Sequence, residues 1–210
     1  MIDAHLFAVF LAAATLLAIT PGPGIFYVLS RSLTGGRIEG FLSAAGTFAG
    51  GLVHVVAAAV GISAIIATSV LAFVFIKYAG AFYLIYLGIG MIRSRNLPMK
   101  ESTQIARPSH TFRQGILTEV LNPKTALFFL SFIPQFVNPQ LGKVMLQFLT
   151  LGFLSVTLNT IADLAVILFA APIGIRLKSS PRFRRNQRVV SGTAMIGLGA
   201  FLGFGESPSR

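Results

Sequence analysis

The chain has 210 residues, 54% of them hydrophobic and only 11% charged, with a mean hydropathy of +0.79; ordinary soluble domains carry about 25% charged residues, so the composition excludes one and indicates an integral membrane protein. The net charge of +11 comes from basic residues lying in the gaps between apolar runs, which points to membrane topology and away from nucleic acid. The chain has no cysteine, which excludes disulfides, thiol catalysis and iron–sulfur chemistry and leaves the redox compartment open.

The length accommodates roughly six spans of about 20 residues and no separate soluble domain of ordinary size. The first apolar run, 5–30, exceeds a signal-peptide core and is expected to stay in the mature protein. It is interrupted at Thr20-Pro21-Gly22-Pro23-Gly24, where two prolines and two glycines cannot continue a helix. Arg31, Arg37 and Glu39 mark a polar connection to a second span, about 40–66, in which Gly46 and Gly50 are spaced for close helix packing. A third span, with Lys77 and Tyr78, Tyr83 and Tyr86, runs from a turn near Thr68-Ser69 to about Ile92. Residues 93–114 read as a polar loop. The fourth span, about Gly115 to Val137, is interrupted at Asn122-Pro123-Lys124 and carries Phe128, Phe129, Phe132 and Phe136, expected to pack. A turn at Pro139, Gly142 and Lys143 precedes the fifth span, 144–172, which Pro172 and Gly174 end. A basic connector, Arg176 to Arg188, leads to the sixth span, Val189 to Phe204.

Alternate loops hold thirteen Lys and Arg on one side and only Lys143 and Arg210 on the other. The positive-inside rule places both termini outside the cytoplasm. Pro21 lies ten residues before Arg31 and Pro123 ten residues after Arg113. At about 1.5 Å per residue, both are ~15 Å from the cytoplasmic boundary, near the middle of a core about 30 Å thick. Three spans on each side of the 93–114 loop give the halves opposite orientation. The expectation is an all-α membrane protein with six transmembrane helices in two inverted three-helix repeats, helices 1 and 4 being broken near the midplane. Residues 1–210 then form one transporter domain, with repeats at about 1–95 and 110–210. Paired broken helices are where such folds bind their ligands.

Charge within a span costs about 2.5–3.5 kcal/mol on insertion scales, so each such residue is a functional candidate. Lys77 can snorkel to the outer boundary. Glu119 is ~9 Å deep by residue count, on a vestibule or at the interface. Asp163 and Lys124, at ~20 and ~16 Å, are expected to face each other, as a pair docking the halves, as a substrate or proton site, or as both. Asn159 shares the helical face of Asp163. His54 is either a titrating group or a hydrogen-bonded structural one. Three histidines without cysteine make no metal cluster or nucleophile–base set, so neither an enzyme nor a cofactor is expected.

The Thr20-Pro21-Gly22-Pro23 break, the glycines at 36, 40, 46 and 50, Lys77 to Leu84, Asn122-Pro123-Lys124 with Phe128-Phe129, Pro134-Gln135-Phe136, and Asp163 together resemble the lysine exporter (LysE/RhtB) family over nearly the whole chain. That resemblance implies an exporter of amino acids or related metabolites in the cell (inner) membrane, driven by an ion gradient and homo-oligomeric, without fixing the substrate. From the physics, an amino acid at the midplane would place its carboxylate at the helix restarting after Gly24. Its ammonium would lie near Asp163 and the carbonyls of Ile19–Thr20 and Val120–Leu121, with Phe128 at its side chain. Asp163 is the first candidate for proton coupling, with His54 and Glu119 behind it. A channel or inorganic-ion exporter using the same breaks is the alternative.

Overall fold

The computed structural model describes residues 4–68, 70–96 and 108–204, and every described element is helical. Helix α1 spans Ala4–Ile19, α2 Pro23–Thr68, α3 Val70–Arg93, α4 Pro108–Val120 and α5 Pro123–Leu127. A wide π turn, Phe128–Phe132, and two 3-10 turns, Ile133–Phe136 and Pro139–Leu141, follow before α6 (Val144–Leu168), α7 (Ala170–Ser179) and α8 (Pro181–Phe204). Among the described residues, α6 and the Pro23–Gly61 stretch of α2 are long and apolar enough to cross a membrane. The segments His110–Val120 and Pro123–Phe136, bent by 44°, would add a third crossing if counted as one span.

The 46 residues of α2 do not form one rod. Gly36 has φ 74° and ψ −168°, a conformation open essentially only to glycine, and the chain folds back there. A Cβ on Gly24 would lie 3.8 Å from Thr47 Cγ2, although a straight helix would separate these residues by ~35 Å. Helix α2 is therefore two antiparallel arms, with Val28 packed against Ala44 across the fold.

The second arm is the hub of the molecule. It runs alongside α4, with Gly50 closing on the backbone of Ile116 and Gly115 on the carbonyl of Ser43. It runs against α6, where Gly51 meets Val156 and Gly152 meets Val55. Helices α3 and α8 form a second antiparallel pair, joined where Gly88 faces Gly192 and Ala81 faces Gly199. An aromatic core fills the centre, with Phe128 on Phe132 at 5.0 Å, Phe132 on Phe136 at 4.8 Å and Phe136 on Phe10 at 5.3 Å between ring centroids. Val53, Val56 and Val60 on α2 and Phe153, Ile161 and Leu168 on α6 face outward, giving these two helices a largely apolar outer face.

Several boundaries differ from the sequence reading. Residues 108–114 are helical, because Pro108 occupies a first-turn position where its missing N–H costs nothing. The basic connector is helical as well, α8 starting at Pro181. The fifth span stops at Leu168, since the ring of Pro172 cannot pass the carbonyl four residues earlier; Phe169 breaks the helix with φ −104° and ψ 16°. Arg31 and Glu39, expected in a connection, are buried at the fold of α2. There Arg31 donates to Gln114 Oε1 at 2.5 Å, and Thr111 Oγ1 donates to Glu39 Oε2 at 2.5 Å. The side chains of Lys77 and Tyr83, and Ser69 itself, lie outside the described residues.

Candidate functional site

Helix α1 stops at Ile19, Thr20 to Gly22 are not helical, and α2 restarts at Pro23. Helix α4 stops at Val120 and α5 restarts at Pro123, after Asn122 has taken an extended conformation with φ −76° and ψ 107°. Asn122 caps this restart, its Oδ1 accepting from Lys124 N–H at 3.1 Å. The residue before a proline is driven from helical geometry, so the sequence itself sets this stop.

At each stop a side chain distant in sequence donates to carbonyls of the last turn. Lys124 Nζ donates to Leu17 O at 3.0 Å and to Thr20 O at 2.8 Å, capping α1. The Lys124 stem passes over Gly22, where a Cβ would lie 3.3 Å from Cε. His54 Nε2 lies 3.0 Å from Glu119 O, in the last turn of α4, and the imidazole stacks on Phe129 at 5.8 Å. In that contact the carbonyl can only accept, so Nε2 is the protonated nitrogen.

Glu119 is 3% exposed. Its Oε2 accepts from Asn122 Nδ2 at 3.1 Å and its Oε1 from Thr125 Oγ1 at 2.6 Å. Room for it comes from two missing side chains, since a Cβ on Gly24 would lie 2.6 Å from Oε2 and one on Gly50 would lie 2.8 Å from Glu119 Cβ. Asp163, 5% exposed, is 2.9 Å from Thr47 Oγ1. Glu119, Lys124 and Asp163 border a cavity of about 30 Å³, lined also by Phe128, Asn159 and Ser155. That is room for ordered water rather than for an amino acid.

Among the residues singled out from sequence, Gly24, Asn122, Lys124, Phe128, Asn159, Asp163 and Glu119 thus meet at one cavity. Thr20, Pro21, Gly22, Pro23 and Pro123 form the helix ends behind it, and His54 stands outside it. Glu119 is buried within the protein. Two expectations change. Asp163 and Lys124 border the same cavity without forming an ion pair, Lys124 being occupied by the end of α1 and Asp163 by Thr47. The α2 restart at Gly24, proposed for a ligand carboxylate, has Glu119 against it. Thr47 and Thr125 were not singled out in the sequence; hydroxyls in an otherwise apolar span beside the two breaks are the signal that could have found them. Asn159 makes no side-chain hydrogen bond among the described residues, so its amide is available to the cavity.

The family model described as LysE type translocator matches residues 15–205. The chain belongs to this family. LysE type translocators are membrane proteins, and membership makes the chain a transporter rather than an enzyme. It is 35% identical over 206 residues, 95% of this chain and 92% of the other, to an uncharacterized membrane protein of Pseudomonas aeruginosa. It is 32% identical to an uncharacterized membrane protein of Vibrio cholerae, covering 95% of this chain and 97% of that one. It is 28% identical to the homoserine/homoserine lactone efflux protein of Salmonella typhimurium, over 92% and 93% of the two chains. No solved structure matches. Both helix stops and all three ionisable groups at the cavity fall within the matched residues of this LysE type translocator.

Proposed function

We propose that this translocator is a secondary transporter that exports amino acids or closely related metabolites from the cytoplasm across the cell (inner) membrane by proton-coupled antiport. The observation that carries the reading is the enclosure of Glu119, Lys124 and Asp163 around one cavity where two helices stop and restart. Ionisable groups held so deep in an apolar shell are costly, and in a transporter they mark the path of substrate or ion. The name of the Salmonella relative supports the substrate class.

In this reading the fold is a pair of inverted repeats. Helix α1 with the first arm of α2, the second arm, and α3 correspond to α4 with α5, α6, and α8. The antiparallel pairing of the second arm with α6, and of α3 with α8, supports that relation. So does the exchange of caps, by which each half closes the broken helix of the other. Both termini face away from the cytoplasm.

Two acidic groups and one ammonium leave the cavity formally one negative charge in excess. A substrate ammonium therefore goes to Asp163 and Asn159. Lys124 uses two of its three N–H bonds on α1 and offers the third to a carboxylate. The cavity enlarges to admit an amino acid when the repeats rock against each other, and a proton on Asp163 replaces the ammonium on the return. Proteoliposomes loaded with radiolabelled homoserine test this. Efflux should saturate and should follow an imposed pH gradient; flux linear in concentration would indicate a pore, and saturable flux indifferent to the gradient would remove the proton.

A further inference from the structure

Thr47 Oγ1 is within hydrogen-bonding distance of two oxygens at once, Asp163 Oδ2 at 2.9 Å and the carbonyl of Ala44 at 3.0 Å. A threonine hydroxyl has one proton to donate and lone pairs to accept with, so it donates to one of these oxygens at a time. When Asp163 is ionised, the hydroxyl donates to Oδ2. When Asp163 is protonated, its O–H donates to Oγ1 and the Thr47 hydrogen turns to Ala44 O. Thr47 keeps its own proton in both arrangements, and only the hydrogen's direction changes. The proton on Asp163 arrives from one compartment and departs to the other, so nothing else is gained or lost. In both states Asp163 Oδ2 and the Thr47 hydroxyl stay hydrogen-bonded to each other.

Glu119 has a hydroxyl donor of its own, Thr125 Oγ1 on Oε1, but its other oxygen meets an amide. Asn122 Oδ1 is engaged by Lys124 N–H, which forces the Asn122 amide nitrogen toward Glu119 Oε2. An amide N–H cannot become an acceptor, so Oε2 is fixed as one. Of the charged groups facing Asp163, Lys124 comes from α5 and Glu119 from α4; α1 and both arms of α2 contribute none to the cavity wall, and Asp163 is itself the single charged residue of α6. Thr47 is thus the neighbour whose hydrogen-bonding sense can follow the charge of Asp163 without a heavy atom moving.

We infer that Thr47 is a positioning residue for proton coupling, a hydroxyl switch that lets Asp163 take up and release its proton at the cavity. This rests on the reading that Asp163 carries the coupling proton, and the two can be tested apart. Thr47→Val keeps the shape and removes the hydroxyl, Thr47→Ser keeps the hydroxyl, and Asp163→Asn removes the titration. Efflux of radiolabelled homoserine from proteoliposomes, normalised to reconstituted protein, is measured against pH for each.

The expected result is a wild-type pH profile for Thr47→Ser. For Thr47→Val the profile moves by about one unit to higher pH, because the ionised carboxylate loses a charge-assisted donor. Asp163→Asn should lose pH dependence altogether. If Thr47→Val does not reach the membrane, Thr47→Ala, which cannot clash, gives the same comparison. A wild-type profile in Thr47→Val or Thr47→Ala beside a flat one in Asp163→Asn overturns the switch and leaves the coupling reading standing. An equal displacement in Thr47→Ser also overturns it, since the hydroxyl would then not be the cause. Undiminished pH dependence in Asp163→Asn overturns the coupling reading and the switch with it.

Discussion

Lys124 donates to the carbonyl oxygen of Thr20, 104 residues earlier in the chain, at 2.8 Å. This bond, with its companion to Leu17, ties the stop of one interrupted helix to the restart of the other. Lys124→Met would keep the stem over Gly22 and leave the carbonyl of Thr20 without its donor, while Leu17 O keeps the Thr20 N–H. An unsatisfied buried group costs roughly 1–3 kcal/mol, and the melting temperature of a chain this size falls about 2–4 °C per kcal/mol. Thermal unfolding of the solubilised protein should therefore show a drop of several degrees. An unchanged melting temperature would mean that the ammonium does not hold the break together.

Glycines set the seam between the second arm of α2 and α4. A Cβ on Gly50 would lie 2.7 Å from the carbonyl of Ile116, and backbone cannot turn aside as a long side chain can. Gly50→Ala is expected to cost about 1–3 kcal/mol through forced separation of the helices. Gly61→Ala, with nothing within 4 Å, should be neutral or slightly stabilising because alanine favours helix. Thermal stability of the pair in detergent checks this, and equal effects at both sites would rule out close packing at 50.

Much of this seam was legible in the sequence, because small residues four apart in an apolar helix have one common use. The two stops were legible for the same local reason: proline and glycine act on the backbone where they stand. What was not legible depended on partners far along the chain. Nothing near Lys124 says that its ammonium reaches Thr20, and nothing near His54 says that it meets the end of α4. The burial of Glu119 was not legible either, because counting from Arg113 measures distance along a helix, whereas its enclosure comes from absent side chains at Gly24 and Gly50. Arg31 and Glu39 looked like loop residues because charge usually marks solvent; the sharp fold at Gly36 turns both into the seam with α4 instead.

Orientation carries its own prediction. From the excess of thirteen basic residues over two, the C-terminus is expected outside the cytoplasm. An alkaline phosphatase fused after Arg210 should be active, and a green fluorescent protein there should be dark. The opposite pattern would invert the export direction proposed above.

Pro123→Ala tests the second stop. Proline at 123 bars Asn122 from helical geometry, and alanine removes that bar, allowing α4 and α5 to join. Joining them would withdraw the Asn122 cap and its hold on Glu119. Efflux should fall at least tenfold while membrane abundance stays within about twofold, because a continuous helix inserts as well as a broken one. Pro21→Ala is expected to do the same at the first stop. Full transport by both variants would show that the interruptions are not needed.

Asn122→Asp separates the two tasks of Asn122. Aspartate is as good a helix cap as asparagine, so its Oδ1 can still accept from Lys124 N–H and α5 should restart where it does now. The second carboxylate oxygen, however, would stand where Nδ2 now donates to Glu119 Oε2 at 3.1 Å. Two carboxylates at that distance cannot both remain ionised, and they would share a proton. The cavity then keeps its shape and gains a second titrating pair beside Asp163. Asn122→Ser provides the control, since it caps the helix without bringing a charge. Efflux in Asn122→Asp should therefore be weak at neutral pH and recover as the pH is lowered, whereas Asn122→Ser should show a reduced rate with the wild-type pH profile. Identical profiles in the two variants would mean that Glu119 does not feel position 122, and that the enclosed carboxylate is held by Thr125 alone.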